Sequence, residues 1–246
     1  MKSLLKRLYR SICGPMPLSE FKDYNEYWEK RQTSNDSPAA EAPQDTPLHR
    51  FVSIADQIPE GSSVLDVGCG DGGFLRYLKK QDKNLSLFGM DISSEAVANL
   101  SQHGIDGAAI HLDTPLRDLT ERDFDYVVMM EVIEHVHEAE SLVLDTLAFS
   151  PKGIFITIPN AGYFMHRVRL MFGGRFPVTF VLLHMKEHIR FWTVKDFFQW
   201  SEHLNLKVTH YEGQQKGTKN PLRLFMIRHF PSLSAAQLIY LLEPKA

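Results

Sequence analysis

The stretch that decides the fold is VLDVGCGDGGFL, residues 64–75. Val64, Leu65 and Val67 form a short apolar run with Asp66 inside it, and Gly68, Gly70, Gly72 and Gly73 follow. A helical pattern opens at Phe74. A strand that runs straight into glycines and then a helix starts a βαβ unit. The glycines let the backbone turn tightly and approach a ligand with no Cβ in the way. Phosphate-binding loops share this outline, so the turn alone does not name the ligand. Two features narrow it. Asp66 and Asp71 flank the turn, where they repel a pyrophosphate and suit an ammonium or a sulfonium. Asp91, in GMDIS, ends the next apolar run about 20 residues on, where an acid takes both ribose hydroxyls.

Outward from this turn, strands and helices alternate. The pattern predicts a helix from 48 to 57 and strands at 64–67, 85–90, 108–112, 124–130 and 153–158, with helices between them. Ser93 or Ser94 caps one helix and Thr193 another, over 194–203. Residues 207–212 and 222–228 read as two last strands in a hairpin, and 234–242 as a closing helix. The expected fold is α/β: a Rossmann-like, seven-stranded, mostly parallel sheet with helices on both faces. The pocket would then lie in a domain spanning 48–246. Residues 160–190 exceed what a strand-to-helix loop needs and read as an insertion at the carboxyl edge, a lid in function.

Residues 1–47 read as an extension. Residues 1–12 space Leu4, Leu5, Leu8 and Ile12 between Lys2, Lys6, Arg7 and Arg10, an apolar stripe beside a basic one. Such a helix docks on the domain or touches the inner face of a membrane. Residues 33–47 have the Pro, Ser and acid content of a flexible linker. The 246 residues carry 43% apolar and 23% charged side chains and a formal charge of -3, which argues against a general nucleic-acid surface. Cys13 and Cys69 are too few for a disulfide framework and fit a reducing, cytoplasmic setting.

VLDVGCGDGG, GMDIS and FDYVVMMEVIEHV together resemble class I S-adenosylmethionine-dependent methyltransferases. IFITIPNAGYFMHRVRLMFGGRFPVT, FWTVKDF and FPSLSAAQLIYLL are similar to MetW-type proteins of methionine biosynthesis. EVIEHV looks instead like quinone O-methyltransferases and small-RNA 2′-O-methyltransferases, as does the later His188–Thr193 pattern. The resemblance implies that Gly68, Cys69 and Gly70 face the methionine moiety, with Asp66 beside them. It implies that Asp91 binds ribose, Ile92 packs on adenine, Arg50 meets the methionine carboxylate and Met130 lines the cofactor. An acid near the adenine amino group is expected after the third strand. This chain has His111-Leu112-Asp113 there, so Leu112 and Asp113 take that place.

Glu131, Glu134 and His135 follow the fourth strand, where the transferred methyl would sit. A hydroxyl acceptor must lose its proton, to a general base or by coordination to a metal. His135 with Glu131 suits the first role. Two carboxylates with one or two histidines suit the second, with Mg²⁺ as the ion, and the resemblance implies Glu131, Glu134, His135 and His188 as its ligands. A segment of this kind also occurs with no metal, the Glu touching the cofactor and the His capping a helix. The expected function is methylation of a small-molecule, glycan or lipid-linked hydroxyl. The alternative is a regulatory partner of a homoserine acyltransferase that binds the cofactor without transfer.

Overall fold

The computed structural model describes residues 12–13, 47–110, 114–149, 151–175, 188–215 and 218–245. The apolar runs form β1 (Ser63–Val67), β2 (Ser86–Asp91), β3 (Asp106–Ala109), β4 (Tyr126–Met130), β5 (Gly153–Pro159), β6 (Leu206–Gly213) and β7 (Gln237–Pro244). They make one seven-stranded sheet in the order β3-β2-β1-β4-β5-β7-β6. β1 to β5 are mutually parallel, and β7 runs antiparallel to both β5 and β6. β6 therefore points the same way as β5, and both end at the edge where β1 meets its glycines.

Side-chain alternation divides the strands between two faces. Val64, Val128, Phe155 and Ile239 point to one face and pack with Ile54 of α1 (His49–Gln57) and Phe74 of α2 (Gly73–Lys79). Leu65, Val127, Ile156 and Tyr240 point to the other. There they meet Val143 of α4 (Ala139–Asp145) and Phe197 of α6 (Val194–His203). α3 (Ser94–Gln102) closes over β2 and β3 through Leu100. β5 is buried along all seven residues, which explains a sequence apolar at every position but Thr157. The helix caps act as the sequence predicts. Ser93 Oγ accepts from the Ala96 amide, and Thr193 with Asp196 forms a capping box.

The C-terminal region differs from the expectation. The last two strands do pair antiparallel, but the partner of β6 is 237–244, not 222–228. Residues 222–228 lie in α7 (Pro221–His229), followed by the short α8 (Pro231–Ser234). Asn220 caps α7 and Pro221 occupies its first turn. The expected helix 234–242 is mostly β7, inserted between β5 and β6. A strand buried on both faces is apolar without alternation and has the same periodicity signal as a buried helix. β3 starts at Asp106, two residues before the expected strand, because Gly107 lets the backbone pass close to Gly89.

The insertion opens where Asn160 bridges Trp192 in parallel, and α5 (Phe164–Gly173) is its described helix. Residues 176–187 lie outside the described residues. So do the N-terminal basic stripe, apart from Ile12 and Cys13, and the linker up to 46. Arg169 of α5 donates to the Ile12 carbonyl at 3.3 Å. No helix among the described residues is long and apolar enough to cross a membrane.

Candidate functional site

The glycine turn is shaped from two sides. The Gly68 and Cys69 amides donate to the Met90 carbonyl at the end of β2, at 2.7 and 3.0 Å. The Gly70 amide donates to Asp91 Oδ2 at 2.8 Å, and the Ser93 amide to Asp91 Oδ1 at 2.9 Å. Asp91 therefore ties the β1 turn to the start of α3. Gly68 has φ +74°, and a Cβ there would lie 2.5 Å from Val132 Cγ2, so glycine is required on both counts. Asp71 does not face a ligand. It accepts the Gly73 amide at 3.0 Å and pairs with Arg76 at 3.3 Å. Ile92 is half exposed beside this turn, and burial pushes the Cys69 thiol up.

Asp66 is in a different state. It is buried, and neither carboxylate oxygen has a hydrogen-bond partner among the described residues. Burial, then the like charge of Asp91, holds its carboxyl well above the usual range against the pull of Arg50. Arg50 projects from α1, and its Nε is buried with no acceptor among the described residues. A buried carboxylate in this condition is a place for a cation or a donor to enter.

At the end of β4 the chain turns through Glu131 with φ +56°, a conformation side chains rarely adopt. Three contacts hold it. Its amide donates to the Thr157 carbonyl at 3.0 Å, Thr157 Oγ1 donates to Oε1 at 3.0 Å, and Gln237 Nε2 donates to Oε2 at 2.8 Å. The next turn, 133–135, buries Glu134 with no partner for either oxygen among the described residues. Burial, then Glu131, pushes its carboxyl well above the usual range. His188 is brought in by the backbone, since the Ile189 and Arg190 amides donate to the Glu134 carbonyl at 2.9 and 3.3 Å. The His135 and His188 rings lie 4.6 Å apart. Burial, then His135, pushes the His188 imidazole down to about 3.

One ligand atom from each of Glu134, His135 and His188 falls within 4.8 Å of the others, a spacing that can hold a metal ion. Of the four residues expected as metal ligands, the structure brings together these three. Glu131 is turned away to Thr157 and Gln237. Among the expected cofactor residues, Arg50, Asp66, Gly68, Cys69, Gly70, Asp91, Ile92 and Met130 lie on α1 or at the ends of β1, β2 and β4. Leu112 and Asp113 lie outside the described residues. The two residues that fix Glu131 escaped the sequence reading. Gln237 falls in the stretch 234–242 whose pattern reads as a helix, and Thr157 is an ordinary strand residue by pattern.

A sheet of this order, with a glycine turn after β1 and an acid at the end of β2, has the class I methyltransferase fold. A Haloferax volcanii methyltransferase solved with the Trm112 methyltransferase activator shares it, with TM-score 0.60 and 13% identity over 93% of this chain and all of that one. More particularly, the model of methionine biosynthesis protein MetW matches residues 49–242, and the chain belongs to the MetW family. A bifunctional methionine biosynthesis protein MetXA/MetW of Rhodopirellula baltica is 30% identical over 132 residues, 51% of this chain and 21% of that protein. A ubiquinone biosynthesis O-methyltransferase of Haemophilus ducreyi is 27% identical over 62% of this chain and 68% of its own length. Other relatives are named N-methyltransferases, and the chain spans a third or less of their length.

Proposed function

We propose that the chain binds S-adenosylmethionine at the β1–β2 edge and methylates a hydroxyl of a small-molecule, glycan or lipid-linked acceptor. The observation that carries this reading is the pairing, at one sheet edge, of a shaped glycine turn with buried acids that lack partners among the described residues. When bound, S-adenosylmethionine supplies a methyl group on a sulfonium. Asp91 already accepts two amides, and its remaining lone pairs can take the ribose hydroxyls. Asp66 answers an ammonium, and Arg50, beside it, a carboxylate. Leu112 and Asp113 are left for the adenine side.

On the acceptor side, His135 takes the hydroxyl proton, while Glu131, four residues before it at the end of β4, is held in a fixed orientation by Thr157 and Gln237. His188 stays neutral down to about pH 3 and serves as an acceptor or a ligand. If an ion is held, one carboxylate and two imidazoles suit Mn²⁺ or Zn²⁺ better than the Mg²⁺ that an all-oxygen set would favour. Residues 160–190, whose described helix is α5, would close over the acceptor.

A second reading keeps the pocket and drops the transfer. The name of the Rhodopirellula baltica relative joins MetXA and MetW in one protein, which supports a regulatory partner of a homoserine acyltransferase. One set of measurements separates the two. Calorimetry should show S-adenosylhomocysteine bound by the wild type, and absence of binding would overturn both. Labelled methyl should pass to a hydroxyl in a panel of acceptors and should stop in a Glu131→Ala, His135→Ala double variant. Full transfer by that variant would remove the proposed chemistry. EDTA should arrest transfer only if the ion is needed.

A further inference from the structure

Outside the pocket, α7 turns its apolar side outward. Ile227 is buried under it, against Gly213 and Ala235, and anchors the helix. Leu222, Phe225, Phe230 and Leu233 are 70, 53, 50 and 42% exposed. Phe225, and Met226 at 37%, lie three and four residues after Leu222 on one side of α7, and Phe230 and Leu233 continue the apolar run at the turn and in α8. A single exposed apolar residue needs no explanation, but a stripe does.

The charge around this stripe is of one sign. From Gly213 to Leu242 the sequence holds no acid, although the whole chain has 30 acids and a net charge of -3. The cations there are Lys216, Lys219, Arg223 and Arg228. Lys219, Arg223 and Arg228 are exposed. Among the described residues none of these three enters an ion pair, whereas Arg76, Arg117, Arg122, Lys152, Arg190 and Lys245 each face an acid. An apolar stripe flanked by unneutralised cations matches the boundary between headgroups and acyl chains of an anionic bilayer.

A second copy of the chain fits this face poorly. A two-fold contact would set the stripe against itself and bring Arg223 and Arg228 against the same cations. We infer that the outer face of α7 and α8 docks on an anionic lipid surface. β6 ends at the same sheet edge as β1 and β5, so docking presents the pocket edge to the membrane. This inference stands whether or not methyl transfer is observed.

The test is flotation of the full chain with vesicles of phosphatidylcholine alone or with phosphatidylglycerol added. The wild type should float with the anionic vesicles, less so as salt rises, and stay behind with the neutral ones. An Arg223→Ala, Arg228→Ala variant should lose on the order of tenfold in partitioning. A Leu222→Ser, Phe225→Ser variant should lose binding even at low salt. Both variants should bind S-adenosylhomocysteine as the wild type does, which shows that the fold is intact. Failure of the wild type to float would overturn the inference. So would wild-type flotation by both variants, which would move any lipid contact elsewhere in the chain. A concentration-dependent dimer that Phe225→Ser dissolves without lipid would assign the face to a second copy instead.

Discussion

Two parts of the same sheet edge treat their buried acids in opposite ways. At β2, Asp91 is buried, yet both oxygens accept backbone amides, from Gly70 and Ser93. At β1 and after β4, Asp66 and Glu134 are buried still more deeply and have no partner among the described residues. Burial raises all three carboxyls, and the amides of Ser93, Gly70 and Ile92 hold Asp91 back. The first arrangement is complete as a piece of protein, and its acid fixes the turn. The second is unfavourable as it stands, since an unsatisfied buried carboxylate costs about 1–3 kcal/mol or more. A chain that keeps such groups gains from whatever enters beside them.

The strongest way to break this comparison is Asp91→Ala. It leaves two buried amides without their charged acceptor, at about 1.5–3 kcal/mol for each bond. Urea unfolding should show a loss on the order of 3 kcal/mol, and calorimetry should find no S-adenosylhomocysteine binding. A variant as stable as the wild type would mean that the Gly68–Gly70 turn holds its shape without Asp91.

Glu134→Gln should act in the other direction. The raised folded pKa means that the Glu134 contribution to stability is fully present below the unfolded value, near 4.3, and is lost as pH rises through the folded value. Removing the ionisable group removes that loss. The ligand-free variant should therefore gain on the wild type between about pH 4 and neutrality, by about 1–2 kcal/mol at the top of that range. Added Mn²⁺ or Zn²⁺ should reverse the order, stabilising the wild type and not the variant. Thermal unfolding across pH, with and without the ion, reads both effects. A variant that is never more stable than the wild type would show that Glu134 has a partner in solution.

The same contrast governs how much the sequence discloses. The β1–β2 half was legible because its signals are local: glycines at a turn, an acid at a strand end, a serine at a cap. Gly68, Gly70 and Asp91, which the structure brings together at the β1 turn, follow from those signals alone. The β6–β7 half was not. QLIYLLEP, 237–244, is a strand because β5 and β6 lie on either side of it, a fact set by topology and not by its own periodicity. PLRLFMIRH looks like a strand by its apolar content, but it is a surface helix that buries Ile227 and leaves Leu222, Phe225 and Met226 exposed. The Glu134, His135 and His188 cluster stands between these cases. Glu131, Glu134 and His135 are adjacent in sequence. Only the backbone bonds of Ile189 and Arg190 to Glu134 show that His188 joins them, and only the fold shows that Glu131 turns away.

The smallest effect sharpens that contrast, through the two caps. Thr193 was legible as the cap of α6, and its capping box with Asp196 is formed. Asn220, whose side chain accepts the Arg223 amide at 3.1 Å, was missed as the cap of α7. Losing a cap costs typically about 1 kcal/mol. α6 buries Phe197 and Ser201 in the main core, so fraying of its first turn pulls on the whole fold, and Thr193→Ala should show the full loss in global unfolding. α7 buries only Ile227, so its first turn can open while the sheet stays intact. Asn220→Ala should accordingly change global unfolding by about half as much or less, while amide exchange in residues 222–225 speeds up about fivefold. Equal global losses would mean that α7 is integral to the core. That result would also bind the proposed lipid-facing surface more rigidly to the pocket edge than its single buried anchor indicates.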